Sequence, residues 1–217
     1  QLYKIIDTAK KEYQLPPDAE ITVECNPGSD IESLIPYFKK AGVNRISLGM
    51  QSAVTKERQQ LGRSADKERI RRVIRLLEEN GINNISLDIM LGVPSQTNES
   101  LEESLQFAVD CRVKHISAYI LKIEEGTFFH KNIDRYAFPD ENTVCDFYYH
   151  CSEFLEANGY SHYEISNFAL PGFESRHNTK YWKLTNYLGI GAAAHSYIDG
   201  KRFYFERETK KFINGAE

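Results

Sequence analysis

Four polar residues of this 217-residue chain have types and positions that suit a single small ligand: Glu24, Gln51, Arg63 and Asp88. Glu24 is followed by Asn26-Pro27-Gly28, and Gln51 by Ser52. Arg63 offers a planar fork of donors for a carboxylate. Glu24 and Asp88 accept hydrogen bonds from hydroxyls or an ammonium, and Gln51 can donate or accept. Such a set fits a zwitterion that also carries a sugar. Singly, each has an equally ordinary role: Arg63 as a solvated loop charge, Asp88 as a loop cap, Glu24 as the partner of a neighbouring Lys or Arg. Their information lies in sharing one kind of place, the ends of strands and the loops that follow, where βα barrels put their chemistry.

The elements that place them alternate. Leu2 to Tyr13 reads as an amphipathic helix and Ile21 to Cys25 as a strand. Asp30 to Ala41 carries Ile31, Leu34, Ile35 and Phe38 at helical spacing and stops at Gly42. Arg45 to Met50 is a strand; Asp66 to Asn80 repeats the helical pattern through Ile70, Val73, Ile74 and Leu77. Ile85 to Met90 is a strand, Ser100 to Cys111 a helix and Ile116 to Ile123 a strand. This rhythm predicts α/β architecture with parallel strands joined by crossover helices. The strands are two-sided: Ile21/Val23, Ile46/Leu48/Met50 and Ile85/Leu87/Ile89 against Thr22/Glu24, Ser47/Gly49/Gln51 and Ser86/Asp88. A doubly wound sheet is apolar on both faces. A polar, small-residue face fits a barrel lumen that holds a polar ligand, the competing view being ordinary polar residues near strand ends.

After residue 123 the pattern changes. The expectation is a partial barrel over 1–123, then its last helix and a small α+β extension over 124–217. In that second part a long loop runs from Glu124 to Pro139, a helix from Glu141 to Ala157, and β-like runs cover Tyr163 to Phe168, Thr179 to Leu184 and Arg202 to Glu206. The Gly189 to Ala194 stretch lacks bulk, so other groups can approach its backbone closely.

Composition excludes several functions. Lys+Arg is 27 against Asp+Glu 31, a formal net charge of −4, with no charged block that asks for nucleic acid or an anionic membrane. No apolar run is long enough to span a bilayer, and Gln1 to Lys11 does not read as a signal peptide. A soluble cytoplasmic protein is the simplest reading. Cys25, Cys111, Cys145 and Cys151 are scattered and imply neither disulfides nor a metal site.

Four runs in register carry a resemblance: Ile21-Thr-Val-Glu-Cys-Asn-Pro-Gly28, Gly42-Val-Asn-Arg-Ile-Ser-Leu-Gly-Met-Gln-Ser52, Leu61-Gly-Arg63, and Leu87-Asp-Ile-Met-Leu-Gly-Val-Pro-Ser-Gln-Thr97. Across nearly its whole length the chain resembles the oxygen-independent coproporphyrinogen III oxidase family of radical S-adenosylmethionine proteins. The resemblance implies a three-quarter barrel of six βα units. In its mouth, S-adenosylmethionine would lie on a 4Fe-4S cluster, contacted by Glu24, Gln51, Arg63 and Asp88, with backbone near Leu121 and Lys122 also close to the cofactor. It also implies a departure. The family's CxxxCxxC and GGGTP-type segments are absent, because the chain begins within what corresponds to the second helix. The expectation is therefore a piece without cluster ligands, binding neither cluster nor cofactor well, whose first strand edge is open to self-association.

His177-Asn-Thr-Lys-Tyr-Trp182 and Tyr187-Leu-Gly-Ile-Gly-Ala-Ala-Ala-His195 resemble segments of the family's haem-chaperone branch. His177 and His195 are candidate haem ligands, with aromatic neighbours able to pack a porphyrin face. Their ordinary role is to bond backbone groups. His115, His130, His150 and His162 read as solvated or structural, and Tyr163, Glu164 and Ser166 match the family without an assignable role. The favoured expectation is a haem chaperone that hands haem to an acceptor protein. The alternative is oxidative decarboxylation of two porphyrinogen propionates to vinyls, for which no cationic propionate-binding set is visible. A cluster-free aldolase would need a Schiff-base lysine or metal ligands at the strand ends, and Lys122 is the candidate lysine near one.

Overall fold

A computed structural model describes residues 1–215. Two compact units divide the chain at Glu174/Ser175.

In the first unit, α1 (Leu2–Glu12), β1 (Thr22–Cys25), α2 (Ile35–Ala41), β2 (Arg45–Gln51), α3 (Thr55–Gln60), α4 (Lys67–Glu79), β3 (Asn84–Leu91), α5 (Asn98–Asp110) and β4 (His115–Ile120) succeed one another. A short α6 (Phe128–Lys131) follows, then a 3₁₀ turn at Ile133–Arg135, the long α7 (Glu141–Ala157), and β5 (Ser161–Glu164) and β6 (Asn167–Ala169). The six strands form one sheet in the order β1-β2-β3-β4-β6-β5. β1 to β4 are parallel; β6 joins β4 antiparallel, and β5 joins β6 antiparallel. β1 is an edge of that sheet.

Local chemistry sets the helix boundaries. Asp66 caps α4 by accepting the Arg69 amide at 2.7 Å, and Thr97 with Ser100 forms a reciprocal capping box at the start of α5. α2 ends on Gly42 in the left-handed conformation (φ 74°), the place where glycine avoids a Cβ penalty. The apolar stripe Ile70, Val73, Ile74 and Leu77 is buried. So are Ile46, Leu48, Ile85, Leu87, Ile89 and Ile116 on one side of the strands. The hydrophobic core is continuous through these residues with Phe38, Leu101, Leu105, Phe147, Leu155 and Phe168. Side chains alternate across a strand, so the opposite face holds Glu24, Ser47, Ser86, Asp88, His115 and Ser117.

In the second unit, α8 (Arg176–Trp182), the hairpin β7 (His195–Ile198) and β8 (Lys201–Tyr204), and α9 (Thr209–Ile213) follow. Thr179 to Leu184, expected as β-like from its Thr, Tyr and Trp, is mostly helix. Ser175 caps it by accepting the Asn178 amide at 3.2 Å, and the Thr179 hydroxyl bonds back to the Ser175 carbonyl at 2.8 Å. Two further differences have local causes. α3 was not anticipated because Thr-Lys-Glu-Arg-Gln-Gln has no apolar periodicity. The run Tyr163 to Phe168 is two strands with a turn between them, not one. The close approach expected at the glycine-rich stretch is real: a Cβ on Gly189 would collide with the His195 carbonyl oxygen.

Candidate functional site

Register places the polar residues of β1 to β4 in rows on one face. Glu24 lies opposite Ser47, Ser47 opposite Ser86 and Ser86 opposite His115. Asp88 lies opposite Ser117. Glu24 and Asp88 are thus on the same face, as the two-sided sequence pattern requires. The Ser47 hydroxyl donates to Asp88 Oδ1 at 2.8 Å, and Ser117 also hydrogen-bonds Asp88. Burial pushes the Asp88 carboxyl up to about 6; the Ser47 and Ser117 hydroxyls and Arg45 oppose the rise, while the Glu24 charge adds to it. A carboxyl with that value changes protonation close to neutral pH and can accept or donate to a ligand hydroxyl.

Gln51 and Arg63 both approach Gly49: a Cβ there would lie 2.9 Å from Gln51 Nε2, which the missing side chain leaves room for, and at ordinary contact distance, 4.0 Å, from Arg63 Nη2. Gln51 itself has φ 70°, in the left-handed region. Arg63 comes from the loop between α3 and α4, also as expected. The four sequence candidates fall in two places: the Glu24–Asp88 carboxylates around Ser47, and Gln51 and Arg63 near Gly49, where the β2–β3 register shifts so that Gln51 stands opposite Ile89 and not in step with Ser47.

Residues not singled out as site candidates complete this face. Arg45 is only 4% exposed, and its Nε has no hydrogen-bond partner among the described residues. His115 is fully buried, with Ser86 Oγ 2.8 Å from Nδ1 and the Tyr163 hydroxyl 2.8 Å from Nε2. Burial, with help from Arg45, holds its pKa down to about 3, so the imidazole is neutral. Tyr163, which had no derivable role, thus anchors His115, and Glu164 accepts from the Asn167 side chain. The Tyr119 phenol, raised by burial, bonds Ser117 and feels Asp88, Glu24 and Glu164. The signal that could have found these groups was the parity that marked Glu24 and Asp88: Arg45, Ser47, Ser86, His115, Ser117 and Tyr119 continue it.

The two histidine candidates belong to the second unit. His177 on α8 has the Tyr181 hydroxyl 2.9 Å from Nε2 and the Tyr181 ring edge-on at 4.9 Å. Tyr181 packs on Tyr187 at 4.5 Å, and Tyr187 stacks near Tyr197 at 6.3 Å, giving a run of rings that starts at His177. His195 on β7 is exposed and lies against Tyr204.

The donor set of the polar face fits S-adenosylmethionine: carboxylates for its ammonium and ribose hydroxyls, an amide, and a guanidinium for its carboxylate. An iron–sulfur cluster finds no comparable set. All four cysteines are free, and burial pushes Cys25 and Cys111 up to about 11 and Cys151 up to about 12. Among the described residues no group of three or more His, Cys, Asp or Glu side chains could hold a metal ion. Nor is any described helix long and apolar enough to cross a membrane.

Residues 1–108 match the Radical SAM superfamily. The chain is 39% identical to the heme chaperone HemW of Synechocystis over all of its own length and 53% of that protein. It is 34% identical to HemW of Escherichia coli, over 97% of this chain and 57% of that one. It thus spans about half the length of the curated relatives it matches. In fold it is similar to the coproporphyrinogen III oxidase HemN of Escherichia coli, with a TM-score of 0.83 at 21% identity, covering 98% of this chain and 52% of that one.

Proposed function

We propose, from the premise that the chain belongs to the radical SAM superfamily, that it serves a haem chaperone of the HemW kind. In this reading the polar face takes S-adenosylmethionine and the second unit takes haem. The observation that carries it is likeness to proteins named as haem chaperones at 34–39% identity, extending over at least 97% of the chain and so into the His177 to Tyr197 run of rings.

On the polar face, Arg63 and Gln51 would bind the carboxylate end of S-adenosylmethionine, and Glu24 and Asp88 its ammonium and ribose hydroxyls. When bound together with a cluster, that cofactor supplies radical chemistry in this superfamily. The chain's own contribution is orientation: fixed donors and acceptors on parallel strands hold the ligand without reorganising. In the second unit, a histidine is a ready axial ligand for haem iron. Coordination through His177 Nε2 would displace the Tyr181 hydroxyl from that nitrogen, and the adjoining rings offer faces for the macrocycle. Haem, and an acceptor protein that receives it, are the proposed partners; the setting proposed is the cytoplasm.

Haem titration of the chain, followed by its visible spectrum, tests this. His177→Ala is expected to weaken binding at least about tenfold, whereas Arg63→Ala leaves it unchanged, since the two residues serve different ligands. His195→Ala reports whether the second histidine contributes. Anaerobic turnover of coproporphyrinogen by a cluster-bearing protein that contains this sequence, with haem bound no tighter than by an unrelated protein, would overturn the chaperone reading in favour of decarboxylation.

A further inference from the structure

Residues 52–54, directly after Gln51, are held by groups that do not belong to the ligand face. The Ser52 hydroxyl donates to Glu57 Oε2 at 2.6 Å and accepts the Val54 amide at 2.9 Å. Arg58 Nη1 donates to the Ser52 carbonyl at 3.1 Å. From α5, the Ser104 hydroxyl accepts the Ala53 amide at 2.9 Å. Ser52, Glu57, Arg58 and Ser104 are all at most 3% exposed.

Burying a carboxylate and a guanidinium in a polar helix is a poor route to stability, because their desolvation offsets what their attraction returns. What this knot accomplishes is local. It fixes the backbone that leaves Gln51 at φ 70°, a conformation a non-glycine residue keeps only where its surroundings over-determine it. With that backbone, the Gln51 amide folds back over Gly49, which Arg63 Nη2 also approaches. A relaxed Gln51 would aim its amide away from Gly49.

We propose that Glu57 and Ser104 are positioning residues: acting through Ser52 and Ala53, they hold the Gln51 carboxamide beside the Arg63 guanidinium so that the two together receive the carboxylate end of a nucleoside-bearing amino acid. The ligand class rests on the reading of the polar face given above; the positioning does not. Ser104 belongs to the next βα unit, so the clamp also ties the loop after β2 to the helix after β3.

The test uses the 217-residue chain with two readouts. One is the nuclear Overhauser contact between the Gln51 side-chain amide and the Gly49 α-protons. The other is the affinity for S-adenosylhomocysteine, followed to weak binding by chemical-shift titration. Glu57→Ala and Ser104→Ala are expected to lose the contact and to weaken binding about tenfold, the worth of one hydrogen bond to a charged group. Glu57→Gln keeps an acceptor for Ser52 and is expected to retain both. Ser104→Ala serves if Glu57→Ala does not fold. Retention of the Gln51–Gly49 contact in the folded Ala variants overturns the positioning, whatever the ligand does. If instead Gln51→Ala and Arg63→Ala leave affinity unchanged while the contact still depends on Glu57 and Ser104, the ligand reading fails and the positioning stands.

Discussion

Asp88→Asn should make the chain more stable at neutral pH, because burial in the folded chain works against the charged form of this carboxyl. Burial raises the Asp88 carboxyl from 3.8 to about 6 in the folded chain. Between about pH 4 and pH 6 the folded state therefore holds a proton that the unfolded state has released, and stability falls as pH rises through that window. At 1.36 kcal/mol per pH unit the gap is worth about 3 kcal/mol above pH 6, an upper figure because Asp88 keeps some access to solvent. Asparagine keeps an acceptor for the Ser47 hydroxyl and has nothing to ionise. The variant should match the wild type below about pH 4 and exceed it by about 2–3 kcal/mol at pH 7. His115 runs the other way: held down to about 3 against 6.5, it leaves the unfolded state with the extra proton, so its contribution rises with pH from about 3 to 6.5. In the wild type the two slopes offset each other between about pH 4 and 6, and in Asp88→Asn the His115 rise stands exposed. Urea unfolding at a series of pH values measures both curves. The reasoning is refuted if Asp88→Asn is destabilising at pH 7, or if its advantage does not grow from pH 4 to pH 6.

Other consequences can be measured on the same chain. Anaerobic reconstitution with iron and sulfide should give no brown chromophore, since buried thiols resist becoming the thiolates a cluster needs; a stoichiometric 4Fe-4S spectrum would contradict this. Gly49→Ala puts a methyl 2.9 Å from the movable end of Gln51, so it should cost less than about 1 kcal/mol in urea unfolding yet abolish the Gln51–Gly49 contact seen by nuclear Overhauser effect. Gly189→Ala instead meets the His195 backbone and should open the second unit, read as faster amide exchange around β7. Leu87→Ala, at a fully buried strand position, should cost about 2–5 kcal/mol by urea unfolding.

The parallel strands and their two faces were legible because both signals are periodic. Ile46/Leu48 and Ile85/Leu87 alternate with Ser47 and Ser86, and alternation cannot be mistaken for a helix period. The shared face of Glu24 and Asp88 was legible for the same reason, and the loop position of Arg63 from the helix that starts just after it. What the sequence hid was what depends on three-dimensional partners. α3 buries Glu57 and Arg58, residue types that read as solvated, because Ser52 and Ser104 arrive from elsewhere to satisfy the knot. His115, read as solvated or structural, is structural, but its partners Ser86 and Tyr163, 29 and 48 residues away, could not be read from its own neighbours. α8 was misread because a capping serine outweighed the β propensity of its Thr, Tyr and Trp.

The division of labour between the two faces bears on what ligand the polar one can take. Stability comes from the apolar side, where Ile46, Leu48, Ile85, Leu87 and Ile116 are at most 1% exposed within the continuous core. The polar side does not help the chain fold. It carries a carboxyl pushed well above its ordinary range, a histidine pushed well below, and a buried arginine whose Nε lacks a partner among the described residues. Each of these costs free energy that a well-packed apolar lumen would not. Three carboxylates, Glu24, Asp88 and Glu164, stand there with two guanidiniums, Arg45 and Arg63, so the face presents charges of both signs. A free anion or a free cation would find some of these groups repulsive. A molecule with separated charges of both signs and hydroxyls between them can satisfy all of them at once, which is why the proposed ligand is of that class.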